Sequence, residues 1–94
     1  MRERVIFRLG EKKYVDIRIE SCDGRPFMIK NAKFVLKNGE QVEISGECQV
    51  QQEETSAIVS ALIQPKIKGG NYTLGVTYEV PPEILMYNVL VSVI

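Results

Sequence analysis

The chain has 94 residues, 45% of them hydrophobic, with 12 basic and 12 acidic side chains and neither His nor Trp. That length and composition make one globular domain, residues 1–94, with a modest core. The zero formal net charge argues against a nucleic-acid or anionic-membrane binder, which needs a basic excess on one face.

Read in chain order, the pattern is one of short strands. Residues 4–9 (Arg-Val-Ile-Phe-Arg-Leu) predict a first strand, closed by a turn at Gly10-Glu11. From Lys13 to Glu20 the chain alternates, with Val15, Ile17 and Ile19 on one face and Asp16, Arg18 and Glu20 on the other, which predicts a strand with one wet side. Ser21 to Pro26 is a turn-rich connection. Pro26 lacks the N–H that a central strand requires.

Ala32 to Lys37 alternates again, and Asn38-Gly39 follows directly. That dipeptide between alternating segments predicts a two-residue hairpin with positive φ at both positions. Gln41–Ile44 is the expected return strand, and Gly46 offers a kink or a switch of sheet. Glu47–Gln51 alternates, with Cys48 and Val50 inward. Ala57–Ile63 is the one segment where a helix competes, but its short length and β-branched content favour a strand.

The cleanest alternation begins at Tyr72. Tyr72, Leu74, Val76, Tyr78 and Val80 share one face, and Thr73, Gly75, Thr77 and Glu79 share the other. Pro81-Pro82-Glu83 breaks the chain, and Tyr87, Val89, Val91 and Val93 then alternate to the end. About seven to eight short strands with turns every 8–12 residues predict an all-β, two-sheet antiparallel sandwich of immunoglobulin-like type. The order Leu62, Pro65, Tyr72, Leu74 is similar to the corner between strands E and F of fibronectin type III and related sandwiches. That likeness implies that the Tyr72 hydroxyl turns back to the backbone upstream.

Little in the chain points to chemistry. Without His, the commonest general base and the Ser/His and Cys/His nucleophile systems are gone. Gly69-Gly70-Asn71 is too short for a phosphate loop and leads into a strand. Acidic residues cluster in three connections that this topology gathers at one end of the sandwich. Asp23, Arg25, Glu53, Glu54 and Glu83 form the candidate loop-end site. No Asp-x-Asp-x-Asp run marks a calcium loop, so no metal or other cofactor is expected. Lys33, Lys37, Lys66 and Lys68 are not interleaved with exposed aromatics as in an RNA-binding sheet, because Phe34, Tyr72 and Tyr78 fall on apolar faces. Neither Cys22 nor Cys48 lies in the Tyr72 strand, so the inter-sheet bridge of antibody domains is not expected, and two free thiols are.

The region from about Tyr14 to Val80 resembles the immunoglobulin-like N-terminal module of baseplate upper proteins in phages and prophages of Gram-positive bacteria. The residues that carry the likeness are Tyr14–Glu20, Asp23-Gly24-Arg25-Pro26-Phe27, Asn31-Ala32-Lys33-Phe34-Val35-Leu36 and Gly70-x-Tyr72-x-Leu74. The resemblance implies a non-catalytic structural module of a phage tail or baseplate, with a homo-oligomer or other virion proteins as partners. The alternative is a bacterial module that binds a protein or glycan through its loop end. Neither an enzyme nor a small-molecule substrate is expected.

No apolar run approaches the roughly 20 residues of a membrane span. The opening Met1–Arg8 lacks the apolar stretch of a signal peptide, which predicts cytoplasmic synthesis, with a virus particle as an exit that needs no leader. The uncharged ending marks Met86, Tyr87, Asn88, Val89, Leu90 and Val91 as the candidate interaction segment, on a strand at or near a sheet edge. The competing placement lays this strand between the Tyr72 strand and Arg4–Leu9, fully covered.

Overall fold

The computed structural model describes residues 3–94, so Met1 and Arg2 of the leader comparison lie outside it. It is all-β, with eight strands: β1 (Arg4–Phe7), β2 (Lys13–Glu20), β3 (Lys30–Asn38), β4 (Gln41–Glu47), β5 (Gln49–Gln52), β6 (Ser56–Ile63), β7 (Gly69–Val80) and β8 (Glu83–Val93). Five form one sheet in the order β1-β8-β7-β3-β4, and three form the other in the order β2-β6-β5. The inner faces meet in one core that draws Phe7, Phe34, Leu36, Tyr72, Leu74, Val76, Val89 and Val91 from the first sheet and Val15, Ile17, Val59 and Ile63 from the second. Each such side chain, fully buried, contributes about 1.5–3 kcal/mol.

The alternation read from the sequence becomes the two faces of each strand. In β6 every second residue (Ala57, Val59, Ala61, Ile63) is buried, which identifies the segment as a strand and removes the helix. Phe34, Tyr72 and Tyr78 are likewise buried, so they offer no stacking platform to a nucleic-acid base.

Four local readings need correction. The pairing of β1 with β8 is parallel, so the sandwich is not antiparallel throughout. The hairpin after β3 pairs Asn38 with Gln41, which makes Gly39-Glu40 its two-residue loop. Gly39, at φ 64°, carries the positive φ alone, as the single glycine-first turn type requires. The change of sheet comes at Cys48, after β4 has run straight through Gly46; a Cβ on Gly46 would lie 3.2 Å from the Phe34 ring, so glycine there leaves room for that ring. Val50 pairs with the buried Val59 and so shares its face, yet it is 38% exposed because β5 is an edge strand.

Tyr72 sets the corner between β6 and β7. Its hydroxyl accepts from the backbone N–H of Ile67 at 3.1 Å and of Lys66 at 3.2 Å, the upstream contact expected from the sequence. It donates to Glu43 Oε1 at 2.6 Å. Glu43 reaches this position because β4 carries a bulge where the register against β3 shifts between Leu36 and Lys37. Burial, and then the hydrogen bond to the Glu43 carboxylate, hold the phenol above its ordinary pKa.

Candidate functional site

β8 is one strand in two environments. Its last residues are enclosed: Leu90–Val93 pair with Arg4–Phe7 of β1 on one side, while β7 lines the other. Backbone bonds extend that ladder, from Leu90 N–H to Glu3 carbonyl (2.9 Å), Ile94 N–H to Phe7 carbonyl (2.8 Å) and Leu9 N–H to Ile94 carbonyl (2.9 Å). The first residues of β8, from Glu83 to Asn88, pair with β7 only, and among the described residues no strand lies on their other side. An uncovered edge presents a row of free N–H and C=O groups.

The pairing of β7 with β8 is unbroken from Tyr72↔Val91 to Val80↔Glu83 across a turn of Pro81 and Pro82, so alternation holds along this whole length of β8. Odd-numbered residues face inward, where Val89 and Val91 are buried and Leu85 and Tyr87 half buried. Even-numbered residues face out: Ile84 is 66% exposed and Met86 71%. The outer face continues onto β7, where Gly75 pairs with Asn88 and leaves room for its side chain; a Cβ there would stand 3.2 Å from its Oδ1.

The six-residue candidate segment therefore divides. Met86, Asn88 and Leu90 face outward, and Tyr87 lies inward at the mouth. Val89 and Val91 belong to the core, and Leu90 and Val91 lie under β1. The Tyr87 phenol is raised above its ordinary pKa, first by a hydrogen bond with the Glu3 carboxylate and then by burial.

Beside the open half of β8 the two sheets gape. A cleft of about 390 Å³ is floored by Ile19, Pro26, Phe27, Val80 and Leu85, and Asp23, Arg25 and Glu83 stand on its rim. The loop-end residues thus come partly together. Asp23 accepts from Arg25 N–H (3.0 Å) and from the Ser21 hydroxyl (2.9 Å). Those bonds, the Arg25 amide first, hold its carboxyl below the usual pKa. The Arg25 guanidinium lies 3.6 Å from the same carboxylate. Glu53 and Glu54 do not line the cleft and enter through their backbone, with Glu54 carbonyl accepting from Phe27 N–H at 3.2 Å. No group of three or more metal-ligating side chains occurs among the described residues.

One residue that sequence reasoning missed holds this end in shape. Gln52 Oε1 accepts from Ile29 N–H at 2.9 Å, while its Nε2 donates to the carbonyls of Phe27 (3.1 Å), Glu53 (2.7 Å) and Ser56 (3.2 Å). It supplies the bonds that residues 27–29, which belong to no strand, would otherwise lack. A Gln at a strand end gives no sequence signal for this role.

No family model matches the chain, and no curated protein matches it.

Proposed function

We propose that the chain is a non-catalytic, immunoglobulin-like structural module of a phage or prophage virion, a tail or baseplate component, that joins its partners by adding a strand to a sheet edge. The observation that carries this reading is the half of β8, Glu83–Asn88, that no strand covers among the described residues; its one charge is Glu83, and its outer face carries Ile84, Met86 and Asn88. Natural proteins guard such an edge with Lys, Pro, a bulge or a cover, and here the nearest prolines, Pro81 and Pro82, precede it. Strand addition of this kind gains affinity from main-chain hydrogen bonds and selectivity from alternate side chains.

The immunoglobulin-like assignment is supported by the division into five and three strands with a parallel first-to-last pairing, and by Tyr72 at its corner. The tail or baseplate assignment rests on the resemblance of Tyr14–Val80 stated above. Mass spectrometry of purified particles released by prophage induction in the source bacterium tests it. The chain is expected among the tail proteins; particles that lack it would remove the virion reading.

The apolar-floored cleft favours a second reading, a module that recognises a protein through its loop end. Its rim of Asp23, Arg25 and Glu83 suits a polar segment with one apolar anchor. Genes for surface or secretion proteins beside this one would favour that reading, and tail or capsid genes the first.

A further inference from the structure

The backbone of β8 specifies its partner further. This inference rests on the edge-addition reading above and names the added strand. In β8 the even-numbered residues turn their N–H and C=O toward the β1 side, as the Leu90–Glu3 and Ile94–Phe7 bonds show. Because the pairing with β7 is unbroken, the same parity carries down to Met86 and Ile84. Among the described residues nothing pairs with their backbone groups on that side, and their side chains are the two most exposed large apolar groups, at 71% and 66%.

We infer that the added strand is the same segment of a second copy, paired antiparallel about a two-fold axis through Leu85. That axis sets Ile84 opposite the second copy's Met86, and Met86 opposite its Ile84. Both are residues whose N–H and C=O aim outward, so each pair exchanges two backbone hydrogen bonds, as the narrow rings of an antiparallel ladder require. A two-fold axis normal to the sheet keeps outer faces outer, so Ile84 and Met86 pack on one another across the seam. On the inner face Leu85 meets its own copy. It already lines the cleft, and the two Leu85 side chains close the mouths of both clefts.

Competing registers fare worse. A shift by one residue sets an outer residue opposite an inner one and points one strand's backbone groups away from the seam. A shift by two, which centres the axis on Met86, carries the second copy's Glu83 to Val89. There the Leu90 N–H to Glu3 carbonyl bond shows that the Glu3 backbone already lies alongside, so the place beside Val89 is taken, whereas the axis through Leu85 ends the second copy's strand opposite Tyr87, short of Glu3.

The test is sedimentation of the full chain at rising micromolar concentration, with a crosslink that reads the register. The wild type should move from the 10.6 kDa monomer toward twice that mass. Met86→Lys should stay monomeric with an unchanged melting temperature, because position 86 is exposed and outside the core. In a Cys22→Ser/Cys48→Ala background, Leu85→Cys should form an intermolecular disulfide on mild oxidation, since opposed residues of a non-hydrogen-bonded pair lie about 4.5 Å apart at Cα. Met86→Cys in the same background should crosslink far less.

A dimer trapped through position 86 rather than 85 overturns the register. A dimer that persists in Met86→Lys overturns the surface. A wild type that stays monomeric throughout overturns the self-pairing. The broader reading then stands or falls separately, by whether the Met86→Lys chain is still incorporated into particles.

Discussion

The two halves of β8 share one alternation of inward and outward residues and meet opposite fates. From Leu90 to Val93 the strand is flanked by β7 and β1, and its inward Val91 is fully buried. From Glu83 to Asn88 the same alternation runs, among the described residues, beside β7 alone, with the cleft alongside. Inward apolar residues serve the fold in both halves, Leu85 and Tyr87 included, while Ile84 and Met86 on the outer face of the open half are free to serve something else. Among the described residues, what divides them is the length of β1, four residues, against the eleven of β8.

That division makes its largest claim about stability. Phe7, on the covering strand, is fully buried and sits beneath the Lys13 ammonium, which lies 4.5 Å from the ring centroid. Phe7→Ala should cost about 3–5 kcal/mol, the usual range for emptying a core aromatic site. Met86→Ala in the open half should change stability by no more than about 0.5 kcal/mol. Urea unfolding at low protein concentration, where the monomer prevails, measures both. Equal losses would erase the distinction between the halves.

The next effect in size belongs to Tyr72, which pairs with Val91 in the covered half. Tyr72→Phe keeps the ring and removes one oxygen that serves Lys66 N–H, Ile67 N–H and Glu43 together. The expected loss is about 1–3 kcal/mol, the cost of leaving part-buried polar groups unpaired. Glu43→Gln should lose less, and the double variant should lose less than the sum of the two, because one network is counted twice. An unchanged denaturation midpoint for Tyr72→Phe would move the corner's stability elsewhere.

A third effect crosses both halves and depends on pH. Burial raises the Tyr72 phenol in the covered half, the Tyr78 phenol opposite Leu85 in the open half, and the Cys48 thiol, the last to about 11 from an ordinary 9.0. A group whose folded pKa is raised favours the fold while protonated. Its contribution is complete below the unfolded pKa and is lost as pH climbs through the folded one. Stability should therefore hold steady up to about pH 9 and decline above it as the thiol and phenols ionise. Thermal melts from neutral to alkaline pH measure this, and Tyr72→Phe should flatten part of the decline. Stability that rises above pH 9 would contradict the assigned burial of these groups.

How much of this was legible in the sequence depends on which pairing is asked about. Alternation gave the strands nearly residue for residue, as at Lys13–Glu20, because a half-buried strand has no other way to be written. It gave Tyr72 as well, since Pro65, Gly70 and the alternation that follows leave the ring one buried place. The partner of β1 was not legible: four residues of mixed polarity do not encode a parallel neighbour 86 residues away, as Arg4↔Leu90 pairs them. Nor was the bulge that aims Glu43, because a one-residue slip leaves no mark in a segment as polar as Gln41–Glu47. The candidate segment Met86–Val91 mixed core with surface because it was read from its lack of charge, when its own alternation already separated Val89 and Val91 from Met86. The loop-end group was legible for Asp23, Arg25 and Glu83, while the Gln52 bonds beneath it depend on a fold already formed.

The smallest effect, and a direct probe of which end is open, comes from the two thiols. Cys22 is exposed on the cleft wall. Cys48 is half buried against the core, where its own N–H bonds Ala32 carbonyl at 2.9 Å and burial lifts its thiol to about 11. The thiolate is the reactive form, so at neutral pH Cys48 is both shielded and protonated. Cys22 should react with an alkylating reagent well before Cys48, and mass spectrometry of partly labelled protein should find the label at position 22 first. Reductant should leave the melting temperature unaltered, because the stability assigned to the core requires no crosslink between the thiols. A drop of several degrees would reveal a bridge. First labelling at Cys48 would mean that the crossing from β4 to β5, and not the end beside the open half of β8, is where the molecule opens. If the second copy closes the cleft through Leu85, labelling of Cys22 should also slow as the protein concentration rises, while Cys48 keeps its rate.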